Sequence, residues 1–150
     1  MPPTIGVTMR TLLAGLLIAA ATLLGACASE QGGDITGTTW RLVSLQTQTP
    51  SFSAIVPAEG QANYNVVFNE DGTFSAKADC NQLSGNYTIQ GQGVLTMTPG
   101  PMTLAECGPD SLSDEYIQAL GQTSSFTIAD NQLTITLLDD GTLTYRAAAA

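Results

Sequence analysis

Residues 64–79, YNVVFNEDGTFSAKAD, decide the fold class. Tyr64, Val66 and Phe68 fall on one face of an extended run, and Phe74, Ala76 and Ala78 on one face of the next, against Ser75, Lys77 and Asp79. A period of two is what a strand shows when one side meets a core and the other meets water. Glu70-Asp71-Gly72 stands between the runs, and Asp-Gly suits the tight reversal that joins antiparallel strands. The stretch is a β-hairpin.

The same pattern continues outward. NYTIQ (86–90) and VLTMT (94–98) alternate across GQG and set Tyr87 and Ile89 opposite Leu95 and Met97. SFTIAD, QLTITLLD and TLTYR alternate after residue 123, with Asn131 and Asp139-Asp140-Gly141 at the turns. Upstream, TGTTWRLVSL opens the domain. One segment departs from the period. In PDSLSDEYIQALGQ (109–122), Leu112, Tyr116, Ala119 and Leu120 share a helical face, Ser111 with Asp114 fits a capping box, and Gly121 fits a stop. A helix of about a dozen residues is marginal alone and must pack on the sheet. The expected fold is mainly β (α+β): a curved antiparallel sheet or half-barrel of about eight strands, with one inserted helix plugging its mouth.

The N-terminus reads as an export signal. Arg10 precedes an uncharged apolar run, Leu12 to Leu24, which is too short to span a bilayer and ends in Leu24-Gly25-Ala26-Cys27. Leu-x-small-Cys resembles the lipobox of bacterial lipoproteins, whose cysteine is lipidated and becomes the first mature residue. Residues 1–26 are therefore expected to be a lipoprotein signal peptide, with Met9 a candidate start, and Cys27 the lipid attachment site. Residues 27–35, small and polar, read as a tether, and residues 36–147 as the domain. Ala28 follows the cysteine, where aspartate would resemble an inner-membrane retention signal. In a host with an outer membrane, the expected address is the periplasmic face of that membrane.

Without residues 1–26 the chain carries three basic and thirteen acidic residues, a net charge of −10. Nucleic acid and anionic head groups need clustered Lys and Arg, so neither is an expected partner. There is no histidine, which removes Cys/His and Ser/His/Asp nucleophile pairs. Cys80 and Cys107 are the cysteines left to the domain once Cys27 is taken by the anchor. An exported address favours their oxidation to a disulfide, with two buried free thiols or a metal pair as the alternatives. Glu70-Asp71 and Asp139-Asp140-Gly141 lack calcium-loop spacing and read as turns. Trp40, Tyr64, Tyr87 and Tyr145 read as core at strand spacing, with an aromatic binding platform as the alternative. No cofactor and no catalytic residue is expected.

The residues GTTWRLVSL, CNQLSGNYTI, LTMTPGPMTLAEC, SDEYIQAL and ADNQLTITLLDDGTLTYR together resemble the META domain, the HslJ-like group of small bacterial envelope proteins, over about residues 36–146. The resemblance implies a strand-rich half-barrel with a helix and puts Cys80 and Cys107 at the family's paired cysteines. TLAEC stands where relatives often carry methionine beside the second cysteine, a departure that touches local packing. Associations of the family with heat-shock or envelope stress, and with motility or secretion, imply a non-catalytic binding or accessory role with an envelope protein partner. Two alternatives remain: an envelope hydrolase using carboxylates such as Glu106, Asp110, Asp114 and Glu115, and a purely structural periplasmic lipoprotein.

Overall fold

The hairpin of residues 64–79 forms as expected, with Tyr64 opposite Ala78 and Phe68 opposite Phe74. The structure, a computed structural model, describes residues 33–149; the expected signal peptide, Cys27 and most of the expected tether lie outside the described residues. The elements in order are β1 (Thr39–Gln48), β2 (Ser51–Ile55), β3 (Tyr64–Phe68), β4 (Thr73–Ala78), β5 (Asn81–Gln90), β6 (Val94–Met102), α1 (Ser113–Leu120), β7 (Thr123–Ala129), β8 (Gln132–Leu137) and β9 (Thr142–Ala147). All strand pairs are antiparallel, and the expected fold class is the one found.

The sheet curves further than a half-barrel. Residues 40–46 of β1 pair with residues 142–147 of β9, which closes β1, β3, β4, β5, β6, β7, β8 and β9 into an eight-stranded barrel. The ninth strand, β2, extends the edge of β1 that β3 leaves, pairing with residues 44–48. Bulges in the β1–β9, β5–β6 and β7–β8 ladders supply the bends that closure requires. The thinnest seam lies between β6 and β7, which share one residue pair, Val94 with Ser125. It is bridged further by the Phe126 N–H to Gly93 O (2.8 Å) and the Met97 N–H to Thr123 Oγ1 (2.9 Å). The β7–β8 turn places Asp130 and Asn131 both at positive φ, the conformation a two-residue hairpin turn demands.

An eight-stranded barrel is just wide enough to be filled by its own side chains. Leu42, Leu45, Val66, Phe68, Phe74, Leu95, Leu133, Ile135, Leu143 and Tyr145 do so, all at or near zero exposure. Each end has its own lid. At one end Ile35 is buried, its carbonyl accepting the Trp40 indole N–H at 2.9 Å, while Gly37 N–H bonds Phe68 O at 3.0 Å. The other end, at the start of β3 and β5, takes α1. Tyr116 enters edge-on to Tyr64, ring centroids 6.0 Å apart, and its hydroxyl accepts from Tyr145 at 3.3 Å. Burying a side chain such as Leu120 or Tyr116 contributes about 1.5–3 kcal/mol, enough to hold a helix that would not persist alone.

The helix departs from its expected start. It spans eight residues, and Leu112 at its N-cap makes no side-chain cap bond. The Tyr64 hydroxyl takes the Leu112 N–H at 2.9 Å, and Ser111 Oγ takes the Ser113 N–H at 3.1 Å. A tertiary contact and a bond from Ser113 N–H back to Ser111 thus serve donors at the helix start, in place of the expected Ser111–Asp114 box.

Candidate functional site

Cys80 follows β4 and Cys107 lies in the loop before α1; they form a disulfide with Cα atoms 5.4 Å apart. Asn81 sits beside it, only 3% exposed, a buried polar group that costs stability unless paired. It is fully paired. Its Oδ1 accepts from the Ala105 N–H (2.8 Å) and the Thr103 hydroxyl (3.0 Å). Its amide N–H groups donate to Ala105 O (2.9 Å) and Ser113 Oγ (3.1 Å), with Cys107 Sγ also at 3.3 Å. Thr103 Oγ1 in turn accepts from the Gln82 N–H at 3.0 Å. Residues 103–107 are therefore held to the start of β5 by a covalent bond and a satisfied polar network.

This loop and α1 form the walls of two adjoining depressions. One, of about 370 Å³, is lined by residues 105–109 with Ser111, Ser113 and Asp114. The second, of about 510 Å³, is lined by Asn81, Met102, Leu104, Ala105, Glu106, Asp114, Ile117 and Gln118. Ala105, Glu106 and Asp114 belong to both, so the two form one bent groove with carboxylates at the bend. The outer wall is apolar: Leu104 is 87% exposed and Met102 37%. A leucine in water on a loop pinned at several points has no route into the core.

Of the four acids singled out from the sequence, Glu106 and Asp114 line the groove; Asp110 and Glu115 do not. Asp114 and Glu115 also occupy the first turn of α1, where the helix dipole favours negative charge. Among the described residues, no group of three or more Asp, Glu or Cys side chains gathers where a metal ion would sit. The turn acids do structural work. Asp71 Oδ1 accepts from the Thr73 N–H and hydroxyl, at 2.9 and 2.6 Å. Asp139 accepts from Gln48 N–H (2.6 Å), Thr49 N–H (2.9 Å) and Gly141 N–H (2.9 Å), tying the β8–β9 turn to the β1–β2 turn. These hydrogen bonds hold the Asp71 and Asp139 carboxyls below the ordinary aspartate range. Trp40, Tyr64, Tyr87 and Tyr145 are core, not a platform, with burial pushing the Tyr145 hydroxyl up. The sequence reading missed Asn81 as a hub and Met102 and Leu104 as groove wall. The available signal was two large apolar residues in a Thr/Pro/Gly segment that the strand period does not need.

The META domain family model matches residues 33–150. The chain belongs to the META domain family. Solved structures share its fold: an NMR structure of a protein from Burkholderia xenovorans aligns with a TM-score of 0.61 at 20% identity, over 77% of this chain and 85% of that one. A crystal structure of a DUF4847 family protein from Bacteroides vulgatus aligns at 0.55 and 16% identity, over 75% of this chain and 93% of that one. Nothing among curated proteins matches. In this META domain the residues of CNQLSGNYTI carry structure. Cys80 crosslinks, Asn81 pins the loop, and Tyr87 donates to Asn69 O at 2.7 Å. Gly85 lies so close to the Thr98 carbonyl and the Phe74 ring that a Cβ would collide with both.

Proposed function

We propose that this META domain is a non-catalytic docking domain of the cell envelope, held to a membrane by lipid on Cys27, that binds an envelope protein through the groove between residues 102–107 and α1. The observation that carries the reading is Leu104: a large apolar side chain standing in water, on a loop fixed by a disulfide and a buried asparagine, beside a concave surface. Exposed apolar residues rimmed by polar ones on a rigid wall are the usual form of a protein-docking surface. The envelope address rests on the lipobox-like Leu24-Gly25-Ala26-Cys27 and on the Cys80–Cys107 bond, which persists in oxidising compartments. An accessory role in envelope stress, secretion or motility fits such a domain.

With Cys27 lipidated, the six residues to Gly33 reach about 20 Å at most. The Ile35 end of the barrel then stays within reach of the bilayer, and the α1 groove lies at the opposite end, open to a partner. Acyl chains supply the membrane affinity, about 0.8 kcal/mol per buried CH₂, which an acidic domain does not. Intact-mass analysis of the protein from cells should find a diacylglyceryl-modified N-terminal Cys27; an unmodified mature chain in the soluble fraction overturns the anchor. Capture from detergent-solubilised envelope tests the groove. A partner retained by wild type should be lost with Leu104→Asp and kept with Ile55→Asp, whose side chain is equally exposed on β2.

A second reading, a carboxylate hydrolase, is favoured by one observation: Glu106 and Asp114 share the groove. Turnover of any hydrolysable envelope substrate that is abolished by Asp114→Asn with folding intact would move the assignment there.

A further inference from the structure

We infer that the groove selects a basic-apolar peptide segment of its partner, seating an apolar side chain against Met102, Leu104 and Ile117 and a Lys or Arg cation at the bend between Glu106 and Asp114. The inference rests on the docking reading above and adds the chemistry of the partner.

The apolar half follows from what lines the larger depression. Met102, Leu104 and Ile117 face a volume of about 510 Å³, room for a bulky side chain and part of its backbone. The loop wall is pre-organised, because Ala105 is bonded through both its N–H and its C=O to Asn81. Binding therefore costs little loop ordering.

The basic half follows from charge. Glu106 and Asp114 line both depressions, and neither depression has a Lys or Arg among its lining residues. The domain's basic residues are Arg41, Lys77 and Arg146, of which Lys77 is engaged with Asn63 Oδ1 at 2.8 Å. Asp114 has a structural reason to be acidic, at the first turn of α1; Glu106, in the loop, has none. A cation at the bend meets two carboxylates within one binding surface and a domain-wide negative field, which speeds encounter and rejects acidic sequences. The same field argues against other occupants. A second copy would set acid against acid, and an anionic lipid surface would be repelled.

The test is NMR titration of the purified ¹⁵N-labelled protein with a ten-residue peptide of alternating leucine and lysine, and with a twin carrying glutamate for lysine. The lysine peptide should shift amides of residues 102–107 and 113–118. Its affinity should fall about tenfold or more with Leu104→Asp, with Glu106→Lys, and on raising salt from about 0.05 to 0.5 M, where screening shortens to a few ångströms. The Ile55→Asp variant should bind as wild type. Equal binding of both peptides at the groove would overturn the basic partner while leaving the docking site. Absence of groove shifts with either peptide, where envelope capture still depends on Leu104, would also overturn the partner chemistry alone. Shifts confined to another face, with capture independent of Leu104, would overturn both.

Discussion

The Asn81 amide nitrogen stands 3.1 Å from the Ser113 hydroxyl, two buried polar groups that join the first residue of β5 to the first residue of α1. Through this pair and the bonds to Ala105, a single side chain sets the spacing of both groove walls.

Replacing Asn81 by alanine should destabilise the domain by about 2 to 4 kcal/mol, because Ala105 N–H, Ala105 O, the Thr103 hydroxyl and the buried Ser113 Oγ all lose their partner. Urea unfolding measures this. A loss below about 0.5 kcal/mol would mean that water replaces the amide and that the network does not position the loop.

The Cys80–Cys107 bond closes a loop of 27 residues' separation. On the chain-entropy model it contributes about 3.5 kcal/mol. Cys80→Ser and Cys107→Ser should each cost as much as the double change, since all three remove the same bond. Thiol labelling of the protein unfolded without reductant should find neither cysteine reactive. Two reactive thiols in material from the envelope would contradict an oxidised native state.

Gly85→Ala places a methyl against the Thr98 carbonyl and within 2.6 and 2.9 Å of the Phe74 ring. Overpacking of this kind typically costs about 1 to 3 kcal/mol. Gly60→Ala is the matched control, with its nearest contacts at 3.5 Å and an ordinary right-handed backbone, and should be neutral or slightly stabilising. Equal stability of the two variants would refute the close β5–β6 approach.

Asp34, Asp71 and Asp139 are all held below the ordinary aspartate value by hydrogen bonds to their carboxylates, chiefly backbone N–H for Asp34 and Asp139 and the Thr73 side chain for Asp71. A folded-state value below the unfolded one means that the stabilisation is complete above the unfolded value, about 4, and disappears as pH falls through the folded value. Stability should therefore be flat through neutral pH and decline below about pH 4. Asp139→Asn should flatten part of that decline, a change readable from unfolding free energies between pH 7 and pH 2.5. An unchanged profile would place the acid sensitivity elsewhere.

The sequence exposed what is local. Hairpins 64–79 and 86–98 are written in a period of two, and the paired residues Tyr87 with Met97 and Ile89 with Leu95 meet as the alternation says. Yet Ile89 is 41% exposed although its partner Leu95 is fully buried, a difference the alternation does not show. Closure was not legible: it joins β1 to β9 across most of the domain, and no local signal distinguishes an open edge from a paired one. Strand β2 was missed because its alternation is weak: Phe52 packs against the core only half-buried, and Ile55 is 79% exposed. Asn81 stood inside the motif that carried the family resemblance, but its burial depends on residues 103–113 folding back over it. The groove is likewise a product of tertiary placement, assembled from a loop, a strand end and one face of a short helix.

The groove beside α1 as a protein-docking site is tested most directly by a photo-crosslinking residue placed at position 104 of the full-length protein in living cells, with position 55 as an equally exposed control. Crosslinking from 104 to one envelope protein, absent from 55 and abolished by Glu106→Lys, is the predicted result. Crosslinks of equal yield from both positions, or none from 104, would contradict it.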